Sequence, residues 1–186
     1  LSPNYEYYPY SDARAYDENA QSALTGYGFV HYNNIEIRRP LHAAYLTLLH
    51  LIAGQKYEDV IFLQILVLAL LPVGFYLVTT SLHNRASGLM AALLVIFRES
   101  NSIAAAGRIT SSHAKLFMVD LLTAMIVVFF TFWAILWLKH IEKRPFNYVV
   151  LTGGTLGLAV LVRSETLVLS LAPLILAALY YFRVRK

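Results

Sequence analysis

VIFLQILVLALLPVGFYLVTT, residues 60–80, runs for 21 residues without a formal charge. At about 1.5 Å of rise per residue, a helix of that length matches the roughly 30 Å hydrocarbon core of a bilayer. Pro72 inside it predicts a kink, which a lipid-embedded helix tolerates when neighbours satisfy the freed backbone groups. The segment reads as a membrane span, and the remainder of the chain is read outward from it.

On its C-terminal side the pattern repeats. His83-Asn84-Arg85 is a polar turn, followed by an apolar run at 86–97 in which Gly88, Ala91 and Ala92 suit close helix contact. That run meets Arg98-Glu99 after 12 residues, so either the helix is short or it carries a charged pair near its end. Residues 98–113 (RESNSIAAAGRITSSH) read as a polar connector. The stretch 121–138 is again uncharged, and it extends back to Leu116 if Asp120 lies within the helix. Lys139, His140, Glu142, Lys143, Arg144 and Pro145 close it, and 146–162 follows with Gly153, Gly154 and Gly157 on a face suited to helix contact. Arg163-Ser164-Glu165 forms a corner, and 166–182, with a kink expected at Pro173, is the last run. The expected fold is an all-α integral membrane bundle of about five spans (60–80, 86–97, 116–138, 146–162, 166–182), with residues 1–57 as an outer loop of short amphipathic helices.

Composition agrees with this. The chain is 58% hydrophobic and 14% charged, with a mean hydropathy of +0.57, where a soluble domain carries about 25% charged residues. The absence of cysteine excludes disulfides and thiolate metal sites. A net charge of +4 is modest and gives no reason to invoke nucleic acid. Its distribution is more informative. Connectors 81–85, 139–145 and 183–186 hold Arg85, Lys139, Lys143, Arg144, Arg183, Arg185 and Lys186 against Glu142 alone, whereas the rest of the chain holds eight basic and ten acidic residues. The positive-inside rule then puts those connectors in the cytoplasm and residues 1–57 outside, with the cell (inner) membrane as the expected location. The chain opens on Leu1 without a signal-peptide pattern and ends at Arg185-Lys186, and it reads as a piece of a longer protein.

N-terminal to the first span, residues 1–10 (LSPNYEYYPY) are rich in tyrosine, which suits a membrane interface and equally a surface loop. Residues 11–29 (SDARAYDENAQSALTGYGF) predict one amphipathic helix. Ser11 is its N-cap, Asp12, Asp17 and Glu18 lie in its early turns, and Gly26 is its C-cap. Asp12, Tyr16, Asn19 and Ala23 share a face at helical spacing. A loop with Asn33-Asn34 as turn signal leads to 41–54 (LHAAYLTLLHLIAG), too short to span and interrupted by His42 and His50. It reads as an interfacial helix, with a re-entrant segment as the alternative.

The pattern D-x-x-x-Y-x-x-x-A (Asp12, Tyr16, Ala20), closed by Gly26 and Phe29 and followed by Arg38-Arg39-Pro40-Leu41, resembles the first outer loop of GT-C glycosyltransferases. The nearest group is the dolichyl-phosphate-mannose protein mannosyltransferase-like and aminoarabinose-transferase-like enzymes. Arg39 stands where that group more often has a second proline. The resemblance implies transfer of a sugar from a polyprenyl-phosphate donor to a lipid, glycan or protein hydroxyl at the outer face, with inversion. It makes Asp12 the general base and Asp120 a second catalytic acid. Arg38 and Arg39 are candidates for holding the lipid phosphate because guanidinium forks bind phosphate oxygens bidentately, Arg98, Arg108 and Arg163 are further candidates on the same side, and Tyr16 is a candidate substrate contact. Members have more spans and often a soluble C-terminal domain, so the remainder of a longer chain or other membrane subunits are expected partners, beside the donor and membrane lipids.

Each residue also has a plainer reading. Asp12 suits a helix dipole, Asp120 can pair with Lys115 at an interface, the arginines can anchor in headgroups, and Glu165 can pair locally with Arg163. The six histidines lack the one-turn spacing of a ligand pair, and no metal or cofactor is expected. The resemblance itself leaves a divalent cation open. Two rival functions stand beside the enzyme: a non-catalytic scaffold subunit that keeps a GT-C-like fold within a larger complex, and a transporter fragment. The second would need polar residues deep in several spans, where the sequence offers uncharged ones such as Gln64, Thr123, Thr131 and Thr155 and no charge at mid-depth.

Overall fold

The computed structural model describes residues 7–31, 34–35, 39–108, 111–143 and 146–184. The first helix, α1, is Asp12–Leu24. Ser11 occupies its N-cap position, but with φ 58° and ψ −147° its hydroxyl makes no cap hydrogen bond; only its carbonyl engages the helix, accepting from the Arg14 amide at 3.1 Å. The other end is a Schellman closure. The Tyr27 amide donates to the Ser22 carbonyl and the Gly26 amide to Ala23, both at 3.1 Å, and Gly26 sits at φ 87°, where a side chain would be strained. Val30–His31 (β1) and Asn34–Ile35 (β2) pair antiparallel, and all other regular structure among the described residues is helical.

α2 is Pro40–Ala53, with the proline where no intrahelical donor is needed. The decisive apolar stretch forms α3 (Tyr57–Leu68) and α4 (Leu70–Leu82), which meet at Ala69. Pro72 explains the joint: its ring clashes with the carbonyl four residues back, that of Leu68, and it cannot donate to it. Together the two form a 26-residue rod, Tyr57–Leu82.

α5, Arg85–Ala105, opens with a true cap in which Asn84 Oδ1 accepts from the Ser87 amide at 2.9 Å. It runs on through Arg98-Glu99, so the first part of the expected connector is helix and the charged pair sits near its end. Conversely, Leu116 to Met118 are not helical; α6 is Val119–Lys139, with Asp120 in its first turn. α7 is Phe146–Val162 and α8 is Leu171–Val184. Between them, Ser164–Ser170 form a tighter 3-10 turn, so the chain changes winding just before Pro173 and that proline falls in the first turn of α8. Among the described residues, four helical segments are long and apolar enough to cross a membrane: Tyr57–Leu82, Arg85–Ala105, Val119–Lys139 and Ser164–Phe182. Phe146–Val162, at 17 residues, is at the short limit. The chain is a helical membrane protein.

The spans alternate direction, which sorts their ends into two groups. At one end Lys139 donates to the Ser81 carbonyl, and the Tyr180 hydroxyl donates to Glu142 Oε1 at 2.9 Å. At the other lie α1, α2, the 111–118 segment, Asp120 and Arg163, forming a cap. Among the described residues, the connectors that carry Arg85, Lys139 and Lys143 thus lie at the end away from the cap, while Arg144, Arg185 and Lys186 lie outside the described residues. Glycine use divides the bundle: a Cβ on Gly88 would stand 2.9 Å from the Tyr76 carbonyl and one on Gly74 2.5 Å from Val128 Cγ1, whereas Gly153, Gly154 and Gly157 face open space. Close contact is made on α4 and α5, and the glycine face of α7 touches nothing among the described residues.

Candidate functional site

The cap is built around two inward-facing histidines of α2. His42, Leu46 and His50 recur at four-residue spacing and so form one stripe. His42 is 1% and His50 2% exposed. Leu48, Leu51 and Ile52 occupy the opposite, exposed face. An apolar exterior and a polar interior suit a helix lying against lipid with its back to the protein.

His42 donates through Nε2 to the Phe117 carbonyl at 3.2 Å. A carbonyl only accepts, so the proton is on Nε2 and Nδ1 carries a lone pair, which has no partner. Burial pushes the imidazole down to about 4; the Phe117 carbonyl and the Asp120 charge oppose that shift, and the Arg39 charge adds to it. The ring is T-stacked on Tyr16 with centroids 5.0 Å apart. Arg39 donates to the Tyr16 hydroxyl while its guanidinium carbon stands 5.2 Å from that ring's centroid. Asp120, within electrostatic reach of His42, accepts from Arg163 Nη1 at 3.0 Å, both side chains being about two-fifths exposed. Arg163 also reaches Glu165 at 3.6 Å. Tyr16, Arg39 and Asp120, far apart in sequence, therefore converge about His42.

Two turns further along α2 is a second constellation. Asp17 is 3% exposed, and its Oδ1 accepts from His50 Nε2 while Oδ2 accepts from the Tyr57 hydroxyl, each at 2.8 Å. His50 Nδ1 faces the Gly54 carbonyl at 3.1 Å. Both ring nitrogens thus face acceptors, so the imidazolium satisfies both. Burial alone would lower this histidine, but the Asp17 bond and charge outweigh it and the net shift is upward. Beside the pair lies a pocket of about 510 Å³ whose lining includes Asp17, Tyr57, Arg14 and Tyr7.

The 111–118 segment is the keystone between cap and bundle. Leu116 and Phe117 are fully buried, and side chains from three helices and the stretch before α1 satisfy the segment's backbone. Tyr8 donates to the Lys115 carbonyl at 2.8 Å, Gln64 to the Ala114 carbonyl at 2.6 Å and, like His42, to a second residue of the segment; Glu99 accepts from the Ala114 amide. A loop buried without such partners would leave its amides unpaired. Below it, a cleft of about 540 Å³ runs between α4, α5 and α6, lined by Leu71, Phe75, Leu94, Leu121 and Ala124, with Arg98 and Asp120 at its cap end. A neighbouring cleft of about 470 Å³, between α3, α4 and α5, is also headed by Arg98, here beside Glu99.

The remaining expected site residues are placed as follows. Asp12 is exposed at the first position of α1. Arg108 is exposed in the turn after α5, with only its amide engaged, to the Ala105 carbonyl at 2.9 Å. Arg98 is paired with Glu99 at 3.1 Å. Arg38 lies outside the described residues. Sequence reasoning overlooked Asp17, His50 and the role of His42. Their signal was present: Ala13, Asp17 and Ala20 form a small-residue stripe that admits a neighbouring helix, and the histidines share a stripe with Leu46. Among the described residues, no three His, Asp or Glu side chains gather as a metal site. Comparison with protein-family models, with curated proteins and with solved structures finds no match.

Proposed function

We propose that the chain is the membrane-embedded portion of a GT-C-type glycosyltransferase, which moves a sugar from a polyprenyl-phosphate donor to a hydroxyl at the cap side of the membrane. The observation that carries this reading is the cleft between α4, α5 and α6. Its apolar walls suit a polyprenyl tail, and Leu94 stands exposed along it, leaving it open to lipid. At its head, the Arg98 guanidinium is a fork suited to phosphate oxygens, and Asp120 stands where the sugar would emerge. Arg39 and Arg163 are two further cations held near Asp120 through Tyr16, His42 and a direct ion pair.

In this reading the acceptor hydroxyl gives its proton to Asp12 as its oxygen bonds to C1 of the sugar. The C1–O bond to phosphate breaks with inversion, and polyprenyl phosphate leaves with the electron pair, its charge met by arginine. Asp12 is solvent-facing on the helix whose next turn bears Tyr16, so an acceptor can approach it from water. Asp120, engaged by Arg163, is assigned to orienting the sugar. By the charge asymmetry of the connectors, the cap faces away from the cytoplasm. One observation favours the scaffold alternative: no described contact links Asp12 to Asp120, and the latter is already neutralised by Arg163.

Turnover of polyprenyl-phosphate sugars by membranes carrying the full-length protein decides between them. Asp12→Asn keeps the shape and removes the base, so a drop of about a hundredfold or more is expected at equal expression. Equal turnover would remove Asp12 from the chemistry, and absence of turnover with every donor would bring the scaffold reading forward.

A further inference from the structure

The pocket of about 510 Å³ on the cap is separate from the polyprenyl cleft and plays no part in the mechanism above. It lies on the face of α1 opposite Asp12 and Tyr16, since Arg14, Asp17 and Gln21 are spaced at three and four residues along that far side. Tyr7, which is 94% exposed, Tyr8 and Tyr57 supply aromatic rings to its wall, which Pro9 and Glu18 complete. Tyr8 and Tyr57 meet edge to face with centroids 5.2 Å apart, and each has its hydroxyl committed elsewhere, to Lys115 and to Asp17. What these rings can still offer a ligand is ring surface.

The charges lining the pocket are already paired within the protein. Asp17 holds His50 at 2.8 Å, and Arg14 holds Glu18 at 2.9 Å. No net field is left to draw in an ion, yet each carboxylate oxygen has a second lone pair and the guanidinium has further N–H groups. Gln21 stands 3.4 Å from both ring nitrogens of His50; an amide oxygen suits an imidazolium there, which leaves its NH₂ for the pocket. Fixed, planar donors and acceptors beside exposed ring faces match a molecule with an apolar C–H face and a belt of hydroxyl groups.

We infer that this pocket binds an uncharged saccharide, stacked on Tyr7 and held by hydrogen bonds to Arg14, Asp17 and Gln21. Its placement on the far side of α1 makes it a subsite for a sugar unit remote from the reacting hydroxyl. That role rests on the glycosyltransferase reading; the binding itself does not.

The test is saturation-transfer NMR on the full-length protein in nanodiscs, with methyl α-mannoside, methyl β-N-acetylglucosaminide and choline as probes. At least one glycoside is expected to bind and choline is not. Tyr7→Ala, at a position too exposed to affect folding, should weaken glycoside binding about tenfold, the effect of losing one good aromatic contact. Tyr27→Ala, at another largely exposed tyrosine (79%) outside the pocket, should leave it unchanged. Failure of both glycosides to bind, choline binding in their place, or affinity indifferent to Tyr7→Ala would each overturn the inference. A protein that binds glycoside through Tyr7 but turns over no donor keeps this inference and loses the transferase reading. One that turns over donor without any Tyr7-dependent glycoside binding does the reverse.

Discussion

In α2 the histidines point inward and the aliphatic residues outward: Leu51 and Ile52 are 70% and 65% exposed, against 2% for His50. In α6 the buried face is the ordinary one, with Leu121, Leu122, Ile126, Val128 and Phe130 inside. The two helices are held by different physics. Lipid is as apolar as leucine, so burying aliphatic surface gives an interfacial helix little reason to choose one orientation. Paired polar groups do, because outside the protein their partners would have to be found in lipid or headgroup. The cap is therefore oriented by Asp17–His50, His42–Phe117 and Gln64–Ala114, and the bundle by shape, through Gly74 against Val128 and Gly88 against Tyr76.

This contrast is broken most directly at Asp17. Asp17→Ala leaves His50 and the Tyr57 hydroxyl facing a void, and removing one partner of a buried ion pair costs about 3–5 kcal/mol. Hydrogen exchange in nanodiscs should show α1 and α2 amides losing protection while α6 keeps its own. Uniform loss in both would mean that cap and bundle are one cooperative unit.

A nearly comparable effect is expected from pH. His42 has a folded-state value of about 4, against an ordinary value of about 6.5 for the unfolded chain. Between those values the unfolded state binds a proton that the folded state does not, so stability falls as pH drops through the window, by about 3 kcal/mol in all. His50 acts with the opposite sign. Its raised value contributes stability that is fully present below about pH 6.5 and is lost as pH rises through the folded value. His42→Gln keeps a donor for the Phe117 carbonyl and cannot titrate. Thermal unfolding between pH 4 and 7 should lose the His42 share of its acid-side slope in this variant, while His113, also lowered by burial, keeps its own, and an unchanged slope would place the titration elsewhere.

The bundle answers to volume and not to charge, and its effects are smaller. Gly88→Ala drives a methyl into the Tyr76 carbonyl and is expected to destabilise by about 1–3 kcal/mol. Gly153→Ala, with open space around it, should gain up to about 1 kcal/mol from helix propensity. Melting temperatures of the two variants should move in opposite directions; a parallel fall would mean that another helix covers the α7 face.

What could be read from residues alone was whatever depends on local composition. Runs of uncharged residues located the membrane helices, because a helix satisfies its own backbone wherever it is placed. Gly26 marked the end of α1, since only glycine takes φ 87° without strain. Pro72 and Pro173 marked breaks, although the chain relieves each one just before the proline instead of bending at it.

The candidate site depended on pairings between distant residues, to which local composition is blind. Asp12 drew attention as the acid in a recognisable pattern, while Asp17, five residues on, is the one that folding buries. Lys115 and Glu165 were the sequence-near partners for Asp120 and Arg163, and the tertiary structure joined those two to each other across 43 positions, with Glu165 a more distant second contact. His42 and His50 looked like interruptions of an apolar helix, because hydropathy records what a side chain prefers and not which way it points. Once α1 and the 111–118 segment lie against α2, the same two residues become the polar interior that sets the cap in place.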